Sequence, residues 1–512
     1  MFKGSAPSRP NNIFEGDHLM NRREFLASGA AVWFRVSRYS APPNRPNIIL
    51  MMADDMGWGD PGFNGNNIIR TPNLDAMARA GIRFTRFFAG GPVCSPTRGT
   101  CLTGRHYFRY GVTHANEGFL PRQEITMATM LKSLGYRTGH FGKWHLGTLT
   151  KDIKDGRRGG PGTRFYMPPW EHGFEVCFST EQAVPTWNPM ENQPFPTKYW
   201  TGPGRYATEN LEGDDSRVIM DRVIPFIQDA VRAKQPFFAV VWFHAPHQPV
   251  IAGPHYRAIY SDYDEGAQHY YGCITALDEQ VGRLRSELRR LKVAENTMLW
   301  FTSDNGPEGR SSDRGTNRGV TGGLRGRKRS LFNGGVMVPG LLEWPGHAQP
   351  GRVIEAPCST LDYFPTVQEV VGYEIPGKPR PMDGISLIPL IKGKITSRPS
   401  PVCFRYVQSK RAMFDSPMLA MVEGRYKLLT NLSEDGQEDL LFDLVTDRAE
   451  STNIIAKHPE VARAMKTRLR EWIESCKRSH YGADYDDPLY KPWTEFDPLR
   501  PSWPQDRESE GD

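Results

Sequence analysis

Three continuous apolar runs, each stopped by a cluster of polar residues, set the strongest limit on how this chain folds. Asn47–Ala53 ends at Asp54-Asp55, residues 236–243 end at His244 to His247, and residues 297–302 run into Ser303-Asp304-Asn305-Gly306. A strand that is apolar at every position is buried on both faces, as in a parallel sheet covered by helices. Helical patterns lie between the runs: Pro72–Ala80 behind Thr71 as N-cap, 127–134 ending at Gly135, 218–234, and 267–291 with a basic last turn. The expectation is an α/β fold with a large, mainly parallel central sheet flanked by helices. Ligands of such sheets bind outside the carboxyl ends of the strands, so the three polar clusters should meet at one edge.

A second pattern begins near Arg405. Leu419–Glu423, Tyr426–Thr430 and 439–444 read as short antiparallel strands with turns at Gly424 and Asp435-Gly436, and 459–473 as an amphipathic helix. The expected division is a leader and linker over 1–45, a main domain over 46–400, a small C-terminal α+β subdomain over 401–480 and an extended tail over 481–512. Asn21-Arg22-Arg23-Glu24-Phe25-Leu26, followed by a small and apolar stretch, resembles a twin-arginine export signal starting at Met20. The plainer alternative is a polar tail with a chance arginine pair. No apolar run reaches the roughly 20 residues of a membrane span.

A net charge of +6 from 64 basic and 58 acidic residues tolerates anionic ligands but argues against a dedicated nucleic-acid binder. The seven cysteines are odd in number and scattered, which excludes a disulfide framework and a zinc-finger spacing.

Asp54, Asp55, Asp304 and Asn305 offer three carboxylates and an amide oxygen at two strand exits. That donor set suits Ca²⁺ or Mg²⁺ better than Zn²⁺, although each pair alone is also common turn chemistry. Cys94-Ser95-Pro96-Thr97-Arg98 places a cysteine just before a helix that Pro96 can start. Taken alone, Cys94 reads as a buried structural thiol or as a thiolate nucleophile with a histidine partner.

The longer run Cys94 to Arg105, with Cys-x-Pro-x-Arg followed by Leu-Thr-Gly-Arg, resembles the signature of the sulfatases of the alkaline phosphatase superfamily. The likeness is to the arylsulfatase and N-acetylgalactosamine-6-sulfatase type. It continues in order through Asp54-Asp55-Met56-Gly57, Gly142-Lys143-Trp144-His145-Leu146-Gly147, Ala245-Pro246-His247-Gln248-Pro249, Thr302-Ser303-Asp304-Asn305-Gly306, Leu324 to Lys328, Met382-Asp383-Gly384 and Leu441-Phe442-Asp443-Leu444. The resemblance implies a fold like that of alkaline phosphatase and hydrolysis of sulfate monoesters, with a sulfated carbohydrate as the natural substrate class. It further implies that a formylglycine-generating maturation enzyme oxidises Cys94 to formylglycine (3-oxoalanine), whose hydrate is the nucleophile. Asp54, Asp55, Asp304 and Asn305, with the modified Cys94, would hold one divalent cation, Ca²⁺ before Mg²⁺. Arg98 would lower the nucleophile's pKa, Lys143 and Lys328 would clamp sulfuryl oxygens, His247 would protonate the leaving alcohol, and His145 would take the proton that releases sulfate. Ser179 is a further candidate for substrate binding. Two departures stand out: Asn333 where the family often has Glu before Gly-Gly, and Arg327-Lys328-Arg329 in place of the usual Gly-Lys-Gly. The alternatives are a phosphonate monoester or phosphodiester hydrolase of the same superfamily, and a catalytically silent protein that binds sulfated glycans.

Overall fold

Residues 45–193, 195–309, 318–407, 416–433 and 436–499 are described in the computed structural model of the chain; the arginine pair at 22–23 and Asp435 lie outside them. A ten-stranded sheet organises the molecule. From one edge to the other its strands are Arg352–Ile354, Ile82–Phe84, Gly340–Glu343, Thr297–Ser303, Asn47–Ala53, Phe237–Trp242, Arg137–Lys143, Val176–Thr180, Trp200–Gly202 and Arg205–Tyr206. The five from Thr297–Ser303 to Val176–Thr180 pair in parallel. Only Gly340–Glu343 and Trp200–Gly202 run against the rest, so the sheet is mixed at its flanks and parallel at its centre.

Alternate residues of the central strands feed two separate cores, which is why these strands carry no polar face. Ile48, Leu50, Met52, Trp242 and Trp300 pack on one side with Cys101, Leu102, Met130 and Phe364 from three helices. Ile49, Met51, Phe141, Val241 and Phe301 pack on the other with Leu74, Val223, Ile274 and Leu284. The helices of that second face are Pro72–Ala80, Asp215–Arg232 and Glu265–Arg290. Asp215–Arg232 starts three residues earlier than the apolar pattern implied, because the Asp214 carboxylate caps it by accepting the Arg217 N–H.

Register brings the polar clusters to one level. Ala53 pairs with Ser303 and Met52 with Trp242, so the chain leaves all three strands side by side. Asp54 N–H then donates to Ala245 O at 3.1 Å, and Asp304 N–H to Ala53 O at 3.1 Å.

Beyond it, Val402–Arg405, Leu419–Glu423, Tyr426–Thr430 and Leu440–Asp443 form an antiparallel sheet. One face packs on Met465, Leu469 and Ile473 of the helix Pro459–His480. The other packs on Phe88, Val93, Phe332 and Val336 beside the strand exits. No described helix is long and apolar enough to cross a membrane.

Candidate active site

Cys94 is the first residue of the helix Cys94–Thr103, with Val93 as its extended N-cap; the sequence had placed it just outside. Pro96 sits third in the helix. The first four helical N–H groups have no intrahelical acceptor, so a residue without an N–H costs nothing there. Gly104, at φ 67, closes the helix in the left-handed region with its N–H on Thr100 O. All ten helical residues are buried. The Cys94 thiol, 1% exposed, donates to Asp54 Oδ1 at 3.5 Å, and burial pushes its pKa well up.

Asp54, Asp55, Asp304 and Asn305 converge beside it. Asn305 Nδ2 donates to Asp55 Oδ1 at 2.6 Å, and Asp55 N–H donates to Asp304 Oδ1 at 3.1 Å. Asn305 Oδ1 is buried without a hydrogen-bond partner, a cost that a hard cation would remove. Asp54, Asp55, Cys94 and His247 offer ligand atoms within 4.8 Å of one another. Burial, and then the charge of Asp54, raise the Asp304 pKa to about 7. Burial also opposes ionisation of Asp54, but Lys143, His247, Arg98 and Lys328 together hold its pKa well below the usual value. The orphaned amide oxygen and the crowded carboxylates fit a divalent cation with oxygen ligands. Asp55, at φ 68, is a non-glycine residue in the left-handed region, a strained conformation often found at functional sites.

Five cationic or ring side chains frame this cluster. Arg98, fully buried, donates to Asp304 Oδ2 at 2.7 Å and to Lys143 O at 2.9 Å, and lies 3.3 Å from Asp54 Oδ2. Lys143 Nζ reaches Asp54 Oδ2 at 2.6 Å, and Lys328 Nζ reaches Asp55 at 2.7 Å. Gly142 makes the Lys143 position available: at φ +100, a Cβ on it would lie 1.8 Å from Trp242 O. His145 Nε2 meets Asn116 Oδ1 at 2.7 Å, and its buried Nδ1 has no hydrogen-bond partner. Burial, reinforced by Lys143, keeps this ring neutral. His247 is a quarter exposed; its Nδ1 is 2.6 Å from Gln248 O and its Nε2 is 3.7 Å from Asp55 Oδ2. Burial is the main cause that brings its pKa down to about 4; Asp54 opposes the shift and Lys143 adds to it.

The structure therefore gathers Asp54, Asp55, Cys94, Arg98, Lys143, His145, His247, Asp304, Asn305 and Lys328. Ser179 is not among them. Its fully buried hydroxyl meets His140 Nδ1 at 2.7 Å, because the parallel register sets Ser179 beside Gly142 on the strand face that carries His140. Ser179→Ala should therefore act on stability, by about 1–3 kcal/mol through the orphaned His140 ring nitrogen, and not on KM. Denaturant unfolding read beside steady-state kinetics separates the two effects.

Two site residues had no motif to announce them. Asn116, at φ 63, holds His145. Glu308 lies 3.4 Å from Lys328 and binds Arg329 at 2.9 Å; its place three residues after Asn305 was the available signal. Asn333, the departure before Gly-Gly, accepts from Lys427 Nζ at 2.8 Å, and its own N–H donates to Glu450. It ties the short helix Asn333–Val336 to the C-terminal sheet. All seven cysteines are buried free thiols.

Residues 46–373 match the family model described as Sulfatase, and residues 326–475 the model described as N-sulphoglucosamine sulphohydrolase, C-terminal. The N-acetylgalactosamine-6-sulfatase of Sus scrofa is 33% identical over 380 residues, covering 70% of this chain and 68% of that protein. Arylsulfatase A of Bos taurus is 31% identical over 471 residues, covering 82% and 86%. Among solved structures, Ps i-CgsB in complex with k-i-k-neocarrahexaose aligns with a TM-score of 0.71 at 25% identity, covering 85% of this chain and 94% of that one. The phosphonate monoester hydrolase of Agrobacterium radiobacter, at 21% identity and a TM-score of 0.58 over 84% and 96%, shares the fold. The matched span contains every residue of the site from Asp54 to Lys328. On that match the chain belongs to the sulfatase family and is a sulfuric ester hydrolase.

Proposed function

We propose that this protein hydrolyses sulfate monoesters on a sulfated carbohydrate, with formylglycine made from Cys94 as its nucleophile. The observation that carries the reading is the seat of Cys94: a buried helix start against Asp54, with Lys143 and Lys328 on the adjoining carboxylates. The thiol is buried and hydrogen-bonded to a carboxylate, a poor setting for a thiolate. When bound, a divalent cation on Asp54, Asp55, Asp304 and Asn305 (Ca²⁺ before Mg²⁺) polarises the sulfuryl group, and the formylglycine hydrate brings the attacking hydroxyl and a second hydroxyl for sulfate release.

This chain's own groups do the rest. Lys143 and Lys328 bind sulfuryl oxygens as fixed positive charges. Arg98, immobilised by Asp304 and Asp54, favours the anionic form of the nucleophile. A carbonyl oxygen can only accept, so His247 Nδ1 donates to Gln248 O, and Nε2 is the nitrogen that carries or yields a proton on the open side. With its pKa brought down to about 4 by burial, the ring is neutral near pH 7, and it protonates the leaving oxygen only where a bound anionic ester raises that value. His145 is set up as the opposite partner. Its Nε2 donates to Asn116 Oδ1, which leaves Nδ1 as an unprotonated acceptor within the buried site.

Three further parts belong to the same reading. The leader over 1–45 exports the protein by the twin-arginine route, a formylglycine-generating enzyme matures Cys94, and 46–400 is the catalytic domain, with 401–480 as its C-terminal subdomain. The paired arginines, the Cys94 to Arg98 run and the second sheet support these in turn.

The deciding experiment uses the full chain co-expressed with such a maturation enzyme. The mass of the peptide containing residue 94 is measured beside turnover of 4-nitrophenyl sulfate and an aryl phosphodiester. An aldehyde at residue 94 with faster sulfate turnover is the expected result. Faster phosphodiester turnover would move the protein to the phosphohydrolase reading, and unmodified Cys94 without turnover in the native host to the binding-protein reading.

A further inference from the structure

Arg329 stands at φ 72, a left-handed conformation that costs a bulky L-residue roughly 1–2 kcal/mol. Glycine would fit it freely, so the guanidinium is held there against its backbone preference. Its surroundings show what it is held for. Glu308 grips it through both carboxylate oxygens, one of them at 2.9 Å, and the Arg329 N–H donates to Pro92 O at 3.0 Å, two residues before Cys94. The same Glu308 lies 3.4 Å from Lys328 Nζ, so one carboxylate fixes two cations side by side. Lys328 is 4% exposed and Arg329 27%, and the exposed Arg157 interacts electrostatically with Arg329. The ring of His114, hydrogen-bonded to Tyr406 at 2.7 Å, shares the fields of Arg329, Lys328 and Arg157. Positive charge therefore runs outward from the lysine beside Asp55 to the surface. Among the described residues, Glu308 links two of these cations, and Asp55 holds the inner one, Lys328.

A fork held end-on by Glu308 keeps its remaining N–H groups for another acceptor. We propose that Arg329 is a specificity-determining residue that binds a second anionic group of the substrate, carried on the sulfated sugar or its neighbour. The preferred substrates are then glycans with two or more negative charges close together. The recognised chemistry is an oxyanion, supplied either by a uronate carboxylate or by a second sulfate ester. This rests on the sulfatase reading of the same site and narrows its substrate class.

The test compares kcat/KM of the matured full chain on three sulfated disaccharides: one with no other charge, one with a uronate carboxylate and one with a second sulfate. Wild-type protein should favour one or both dianionic substrates over the neutral-backbone ester. Arg329→Met should cut that ratio by about tenfold or more, and Arg329→Lys should restore part of it. The arm that responds identifies carboxylate or sulfate as the natural group. If Arg329 only props Glu308 and Lys328, Arg329→Met slows all three substrates alike and leaves the ratio unmoved, which overturns the proposal. A wild-type ratio near one also overturns it, while the sulfatase reading stands. No turnover of any sulfate ester by the matured protein would instead sink that underlying reading.

Discussion

Cys94→Ala should lose sulfate ester turnover by a factor on the order of 10⁴ to 10⁶, the loss seen when a covalent nucleophile is removed. Folding should be nearly unaffected. The thiol makes one long contact, 3.5 Å to Asp54, and the alanine methyl still fills most of its place in the helix. The informative control is Cys101, seven residues on in the same helix and buried in the apolar core. Cys101→Ala should cost about 1–2 kcal/mol of stability through a small cavity and keep most of the turnover. Rates on 4-nitrophenyl sulfate with thermal unfolding of both variants check the pair. Full activity in Cys94→Ala would remove the nucleophile from the mechanism.

The second large effect is on stability and falls far from the chemistry. Asp383 accepts from Arg109 Nε and Nη2 at 2.7 Å each, from His106 N–H at 2.7 Å and from Trp472 Nε1 at 2.9 Å. Its own N–H and that of Gly384 donate to Gly104 O, at the end of the Cys94 helix. Side chain and backbone of Asp383 thus tie the helix Cys94–Thr103, the segment after it and the long C-terminal helix. Asp383→Ala should cost about 3–5 kcal/mol, because it leaves Arg109 charged and 3% exposed without its carboxylate, held by the Ser475 and Ser479 hydroxyls. Burial opposes the charge on Asp383, but Arg109 and the donors around it hold its pKa far below the ordinary value. A depressed folded pKa adds stability above the unfolded value of roughly 3.9, and that contribution fades as pH falls toward the folded value. Denaturant midpoints at pH 7 and below pH 4 should therefore differ less in Asp383→Ala than in wild type.

Features written in consecutive residues were the legible ones. Asn47–Ala53, Pro72–Ala80, Leu419–Glu423 and Tyr426–Thr430 lie where the apolar periods and the turn at Gly424, φ 57, set them. Asp54, Asp55, Asp304 and Asn305 were legible for the same reason, since each pair follows an apolar run. Long-range pairing hid the rest. Ser179 faces His140 because of a register between two strands that no local pattern encodes. His114 meets Tyr406 across 292 residues, and Gly340–Glu343 inserts antiparallel between Ile82–Phe84 and Thr297–Ser303. Asp383 was legible as part of a motif, but its role as a joint between helices was not.

If Cys94 is matured as proposed, the burial of its helix fixes an order of events. Residues 94 to 98 lie inside, with the Arg98 guanidinium fully enclosed and the thiol 1% exposed. An enzyme that reads those five residues as an extended peptide has no purchase on them once the chain has closed. On the proposed maturation, oxidation of Cys94 comes before folding closes the helix in. A chain that folds before it meets its maturation enzyme is locked as an unmodified thiol. The active fraction of a preparation is then set by a race during biosynthesis, and later exposure of the folded protein to the same enzyme cannot raise it.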